Sequence, residues 1–291
     1  MTPLCARLTV AGVGLIGGSL ARAVRDAGLA GEVVGFGRSE ANLRVARERG
    51  LVDRTTSDPA VAVAGADVVV LAVPAGSCVA VAEAFRPHAR PGTILTDVAS
   101  VKVAVVAALE ARWTSTGPVV GAHPIAGSEE SGAAAARADL FRGRRCIVTP
   151  TPTTDRAALA LVTSLWAAVG ATVEDMAPAI HDEILARVSH LPHVVAYALV
   201  GAVGDMAIDG RRALDYAGSG FRDTTRIAAS PAVVWRDIML ANVTPLRAAL
   251  AELRVELDEL ERLLATGDAA GLEAALGRAR DLRRRLGTGE P

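Results

Sequence analysis

Three short polar strings interrupt an otherwise apolar chain of 291 residues. The first is Thr96-Asp97-Val98-Ala99-Ser100-Val101-Lys102, and the second is Gly121-Ala122-His123-Pro124-Ile125-Ala126-Gly127-Ser128-Glu129. The third is split between Ser189-His190-Leu191-Pro192-His193 and Gly218-Ser219-Gly220-Phe221-Arg222-Asp223-Thr224-Thr225-Arg226-Ile227-Ala228. An imidazole titrates near pH 6.5 and can take a proton at neutral pH. His123 is therefore a candidate general base for oxidising a C–OH group. A guanidinium offers a planar fork of donors to a carboxylate, so Arg226 suits an acidic substrate. Asp223, one helical turn earlier, could orient it; Arg222 is either a rival or a surface cation. His190 and His193 share a helical face that Pro192 would distort. No third ligand stands at zinc-binding spacing, so no metal is expected.

A second chemistry lies near the N-terminus, in Ala11-Gly12-Val13-Gly14-Leu15-Ile16-Gly17-Gly18-Ser19. The string follows an apolar run and opens a helical one. Gly12 would allow the tight turn, Gly14 a close backbone approach to a pyrophosphate, and Gly17 close packing of helix on strand. The N–H groups of Leu15 and Ile16 would then face the phosphates, and Val73, at the end of a later strand, would border the same crevice. An acidic residue ordinarily ends the second strand and holds the adenosine ribose of NAD. Here Gly37 takes that place, followed by Arg38 and Ser39. Losing the carboxylate removes repulsion toward a 2′-phosphate, which Arg38 could pair with. Glu40 could still reach the ribose, and Arg38 could equally be a solvated loop residue. The cofactor is read as NAD or NADP.

Elements must position these groups. Apolar β-branched runs predict strands at Arg7–Ala11, Glu32–Phe36, Asp67–Val73, Thr93–Asp97, Pro118–Ala122, Arg145–Thr149 and Ala171–Glu174. Several are apolar throughout, as strands buried on both faces of a parallel sheet are. Helical patterns fall between them at Gly18–Ala27, Glu40–Arg49, Ser77–Phe85, Lys102–Ala111 and Asp155–Val169. The alternation implies an α/β Rossmann-type doubly wound parallel sheet over residues 1–176. Residues 177–291 read as an all-α domain for substrate binding and dimerisation. Within it, Leu246, Leu250, Leu253, Leu257, Leu260 and Leu264 form a heptad seam. That seam either lies on its own domain's core or pairs with a second copy.

Bulk properties exclude several classes. Lys+Arg 31 against Asp+Glu 32 gives a net charge of −1, and the cations are dispersed, so a nucleic-acid partner has no electrostatic support. Hydrophobic residues make up 51 % and mean hydropathy is +0.33, enough for a sizeable core. No uninterrupted apolar run approaches the roughly 20 residues that span a bilayer, and no signal peptide is expected. Cys5, Cys78 and Cys146 lack CxxC spacing, which fits reduced thiols in a cytoplasm.

With these strings in this order, the chain resembles the prephenate dehydrogenase family, which includes arogenate and cyclohexadienyl dehydrogenases. The resemblance runs from Gly12 to about Trp235, and the HPIAGSE and GFRDTTRIA strings are more specific than the glycines. It implies oxidative decarboxylation of prephenate or arogenate with hydride transfer to NAD(P)+, giving 4-hydroxyphenylpyruvate or tyrosine. It matches His123 to the catalytic histidine and Arg226 to the carboxylate-binding arginine. It implies that Ser100 hydrogen-bonds the substrate hydroxyl or His123. It also places His193 in the substrate site with His190 beside it, and Glu129 at its mouth; Ser128 and Asp223 are further candidate substrate-binding residues. His181 and Trp235 are weaker candidates, Lys102 reads as a helix-start cation or a ligand, and His88 reads as surface. No further βαβ pattern follows the helices, so regulation through an ACT-type domain is not expected.

Three alternatives stand beside this reading. One is an amino-substituted prephenate as substrate, in a secondary pathway. A second is a β-hydroxyacid dehydrogenase, which would use a lysine in the helical half, whereas Lys102 is the chain's only lysine and lies in the other half. The third is an NAD(P)-sensing protein without catalysis.

Overall fold

In the computed structural model, which describes residues 2–127 and 130–286, an eight-stranded sheet leads into a helical region. The chain runs β1 (Cys5–Ala11), α1 (Leu15–Asp26), β2 (Ala30–Phe36), α2 (Glu40–Glu48), β3 (Arg54–Thr56), α3 (Pro59–Val63) and β4 (Val68–Leu71). It continues through α4 (Ala75–Phe85), β5 (Ile94–Asp97), α5 (Val103–Trp113), β6 (Val119–Pro124), β7 (Arg145–Thr149), α6 (Arg156–Ala168) and β8 (Thr172–Asp175). Strand order is β3-β2-β1-β4-β5-β6-β7-β8. The reversal between β1 and β4 opens the crevice where ligands of such sheets bind.

All seven strands expected from the sequence are present within a few residues of their expected ends. Two differences matter. The sheet is not wholly parallel: β6 pairs antiparallel with β7, His123 opposite Ile147. A parallel neighbour needs a crossover that returns the chain to the opposite edge; the segment between β6 and β7 does not make that return. The short β3 and α3 were not anticipated, because Arg54–Thr56 and Pro59–Val63 are too short to show periodicity.

Burial explains the apolar runs. Val68, Val69, Val70 and Leu71 are all fully buried, sandwiched between helices. One face carries α1, α2 and α6, with Phe141 against Trp166 at its heart. The other carries α3, α4 and α5, with Phe85 and Trp113, and there Ile238 of the helical region joins the same cluster.

The helical region comprises α7 (Pro178–Leu185), a π turn (Ala186–His190), α8 (Leu191–Val203), α9 (Ser219–Thr225), α10 (Ala232–Ala241), α11 (Val243–Thr266) and α12 (Ala269–Arg285). A hairpin of two-residue strands, β9 (Ala207–Ile208) and β10 (Arg211–Arg212), interrupts it; such brief strands leave no signal in sequence. The run Pro178–Val203 is continuous, 26 residues long and of mean hydropathy 1.3, long and apolar enough to cross a membrane. This departs from the expectation that no segment would be, because that expectation counted unbroken apolar residues. Asp182 and His190 in this run are instead tied by hydrogen bonds to the start of α5 and to Asn242.

Candidate active site

The C-terminal ends of β1, β4, β5 and β6 form one edge, and the groups expected to do chemistry gather there. Ala11 pairs with Leu71 and Leu71 with Asp97, so the glycine loop, Val73 and Ser100 all leave the sheet on that side. His123 stands near the end of the adjoining β6.

The glycines are sterically required. Gly12 has φ +94°, and a Cβ there would lie 2.2 Å from the Ala72 carbonyl oxygen and 3.0 Å from a Val73 methyl. A Cβ on Gly17 would lie 2.0 Å from the Gly12 carbonyl oxygen. Gly14, by contrast, meets nothing within 4 Å. It is the N-cap of α1, with no side-chain cap and no acidic residue in the first turn. Leu15 and Ile16 begin the helix there, so an open, uncapped helix start faces the crevice, which fits a pyrophosphate. Arg38 is exposed and has no partner among the described residues. Ser39 is the N-cap of α2 and accepts from Asn42 N–H at 3.3 Å. Asn42, which the sequence did not single out, donates to the Val13 carbonyl at 2.8 Å and holds the glycine loop against α2.

His123 retains 9 % exposure. Burial first, then its neighbours His181, Lys102 and His190, holds its pKa well below the usual 6.5, so it is a neutral imidazole at physiological pH. Its Nδ1 lies 2.8 Å from His181 Nε2, and His181 Nδ1 lies 2.7 Å from Asp182 Oδ1. Lys102 is fully buried. Its ammonium pairs with Asp97 and donates to the Ala122 carbonyl at 2.7 Å. Lys102 stands at the start of α5, as one expected role had it, and the ligand role is corrected, since a side chain locked in this way does not reach a ligand.

From the helical region, His190 is fully buried behind this cluster, its Nδ1 3.1 Å from Asn242 Nδ2. The same amide donates to the Asp182 backbone carbonyl at 2.8 Å. Burial pulls the His190 pKa down to about 4, while Asp182 and the Ser100 backbone act in the opposite direction. His193 is half-buried and stacks on Trp235, ring centroids 3.3 Å apart and planes 20° from parallel. Its Nδ1 lies 3.0 Å from the Ser189 carbonyl oxygen. Burial lowers its pKa, the Ser189 contact opposes this, and the charge of Arg226 adds to the lowering, so Arg226 lies within electrostatic reach of His193. Arg226 is exposed and lies just past the end of α9, where the chain tightens into a 3₁₀ turn. Asp223, also exposed, is on the α-helical side of that change. Ser100 is half-buried at the start of the segment leading to α5. Ser128 and Glu129 lie outside the described residues. His88 is exposed, and no group of three metal-ligating side chains occurs among the described residues.

The sequence ranked His181 low and passed over Asp182 and Asn242. The available signal was a His-Asp pair beside the apolar residues of a helix, where such groups, if buried, persist only when paired.

Comparisons with known proteins bear on this arrangement. Residues 20–175 match the family described as "Prephenate dehydrogenase, nucleotide-binding domain", and residues 177–278 that described as "Prephenate dehydrogenase, dimerization domain". A cyclohexadienyl dehydrogenase of Zymomonas mobilis is 36 % identical over 262 residues, covering 90 % of this chain and 89 % of that one. Among solved structures, prephenate dehydrogenase from Aquifex aeolicus in complex with hydroxyphenyl propionate and NAD+ superposes with a TM-score of 0.92 at 33 % identity, over 96 % of this chain and 98 % of that one. Synechocystis arogenate dehydrogenase gives 0.82 at 31 % identity, over 96 % and 99 %.

Proposed function

The chain belongs to the prephenate dehydrogenase family, and from that premise we propose how its residues divide the work. The enzyme is an NAD(P)-dependent dehydrogenase that oxidatively decarboxylates prephenate or arogenate in tyrosine biosynthesis. When bound, the nicotinamide supplies the hydride acceptor. His123 accepts the proton of the substrate hydroxyl, assisted by Ser100. Arg226 and His193 bind the substrate's carboxylates and ring from the opposite side, with Asp223 orienting Arg226; Ser128 and Glu129, outside the described residues, are assigned to substrate binding by family resemblance alone. His190 acts from behind the site rather than as a ligand. Gly12, Gly14, Gly17, Leu15, Ile16 and Val73 shape the dinucleotide crevice, and Arg38 with Ser39 faces the adenosine ribose. The observation that supports this best is a buried imidazole at the sheet edge, His123, bonded to His181 of the helical region, with a chain of electrostatic neighbours running from His190 through His193 to Arg226.

The division at residues 176/177 is read as sheet domain and helical domain, and the second as a homodimer interface in a cytoplasmic enzyme. Support comes from α11, where Leu246 and Leu263 are buried but Leu257 is 54 % and Leu264 is 66 % exposed in the single chain.

Turnover of purified prephenate and of arogenate, each with NAD and with NADP, tests the reading. Reduced nicotinamide should appear with at least one pair, and Arg38→Ala should raise the KM for NADP by about tenfold while leaving that for NAD within about twofold. No turnover with any of the four pairs would overturn it.

A further inference from the structure

We infer that His181 and Asp182 form a positioning relay for His123, fixing which ring nitrogen carries its hydrogen and supplying a buried counter-charge when that imidazole takes a proton. This rests on the reading of His123 as the base and deepens it. The direction of each hydrogen follows from what Asp182 already does. Its Oδ1 accepts from Lys102 N–H at 2.8 Å and its Oδ2 from Val103 N–H at 2.9 Å. It thereby caps α5, which has no side-chain cap of its own, with both carboxyl oxygens accepting from backbone N–H groups.

A carboxylate only accepts hydrogen bonds. His181 Nδ1, 2.7 Å from Oδ1, therefore carries a hydrogen, and His181 Nε2 presents its lone pair. The atom facing that lone pair at 2.8 Å is His123 Nδ1, which must donate. The Nε2 of His123 is left as the accepting nitrogen. His181 and Asp182 are 0 % and 2 % exposed, so water does not compete for these bonds. Capping α5 needs only Asp182; it gives no reason for a second imidazole between that carboxylate and His123.

The chemistry balances. The substrate O–H bond breaks, its proton passes to His123 Nε2, and its electron pair forms C=O as the C–H pair leaves as hydride. The ring carboxylate then departs as CO₂, leaving its bonding pair to an aromatic ring, and the proton returns from Nε2 to the phenolic oxygen. While the imidazolium exists, Asp182 offsets its charge through His181. Burial makes that cation costly, being the first cause of the lowered His123 pKa. Neither relay residue touches the substrate in this scheme.

The test compares His181→Leu, His181→Gln and His123→Asn in the full-length enzyme. Glutamine can place an accepting oxygen near the position of His181 Nε2; leucine cannot. His181→Leu should lower kcat by about 100-fold, within the range for a displaced general base, and His181→Gln by no more than about tenfold. Substrate KM, cofactor Kd and melting temperature should stay within about twofold or a few degrees of the parent. Near-native kcat in His181→Leu, or equal losses in both variants with KM raised in step, would overturn the relay. Near-native turnover in His123→Asn would overturn the base assignment together with it, which separates the two failures. Should the His181 variants not fold, long-range ¹H–¹⁵N spectra of the unmodified enzyme decide. His123 should show a protonated Nδ1 and a bare Nε2, and the reverse tautomer would overturn the proposal.

Discussion

Lys102 and Asp97 face each other as an ion pair that solvent does not reach from either side. Because Lys102 also donates to the carbonyl of Ala122, the pair ties the end of β5 to β6 one residue before His123. Removing one partner of a buried pair leaves an uncompensated charge and costs about 3–5 kcal/mol. Lys102→Met should lose stability of that order in urea unfolding. The double variant with Asp97→Asn should regain part of it, and an unchanged midpoint in the single variant would deny that the charge is buried.

The buried His190 makes stability depend on pH. Its folded pKa is about 4 against roughly 6.5 for a free imidazole, so the unfolded chain binds more protons between those values. The associated stability is fully present above pH 6.5 and is lost as pH falls toward 4, by roughly 3 kcal/mol. Denaturation midpoints across that window should fall with acidity, and His190→Gln should flatten the slope. A slope unaffected by that change would remove His190 as its source.

Arg226 is proposed to hold a substrate carboxylate in both ground and transition states, so its loss should appear mainly in KM. A charge-assisted bond of about 1.5–3 kcal/mol corresponds to a rise of about 10- to 100-fold for Arg226→Ala, with kcat little changed. Steady-state kinetics on the preferred substrate would show it, and a fall in kcat at constant KM would reassign the residue to the chemical step.

The exposed leucines of α11 are expected to be covered by a second copy. Leu257→Glu with Leu264→Glu should convert the dimer to monomer, read by light scattering at micromolar concentration, while the isolated fold keeps its secondary structure. A chain that is monomeric before any change would end that expectation.

Much of this was legible in the sequence because it rests on local rules. Short unbroken valine-rich runs such as Val68–Leu71 fit doubly buried strands, and Gly12 and Gly17 stand where a Cβ would strike a carbonyl oxygen. What escaped was set by contacts between distant parts of the chain. Asp182 caps a helix whose first residue is Val103, and nothing near either position announces the other. The burial of Lys102 was hidden because its partner Asp97 and its acceptor Ala122 come together only through sheet register. The reversed direction of β7 was hidden because strand patterning carries no information about polarity.

The π turn at Ala186–His190 has a consequence for helical phase. A regular helix advances about 100° per residue, so His181 and His190, nine residues apart in sequence, would point to opposite sides. The wide turn absorbs one extra residue and retards everything after it by roughly 100°, which lets both imidazoles face the protein interior. The turn thus works as a vernier between two otherwise ordinary helices. Excising the extra residue would close the turn to a regular helix and keep that phase, eight steps of about 100° replacing nine less one, whereas forcing all nine steps into a regular helix would swing His190 outward and carry His193 with it.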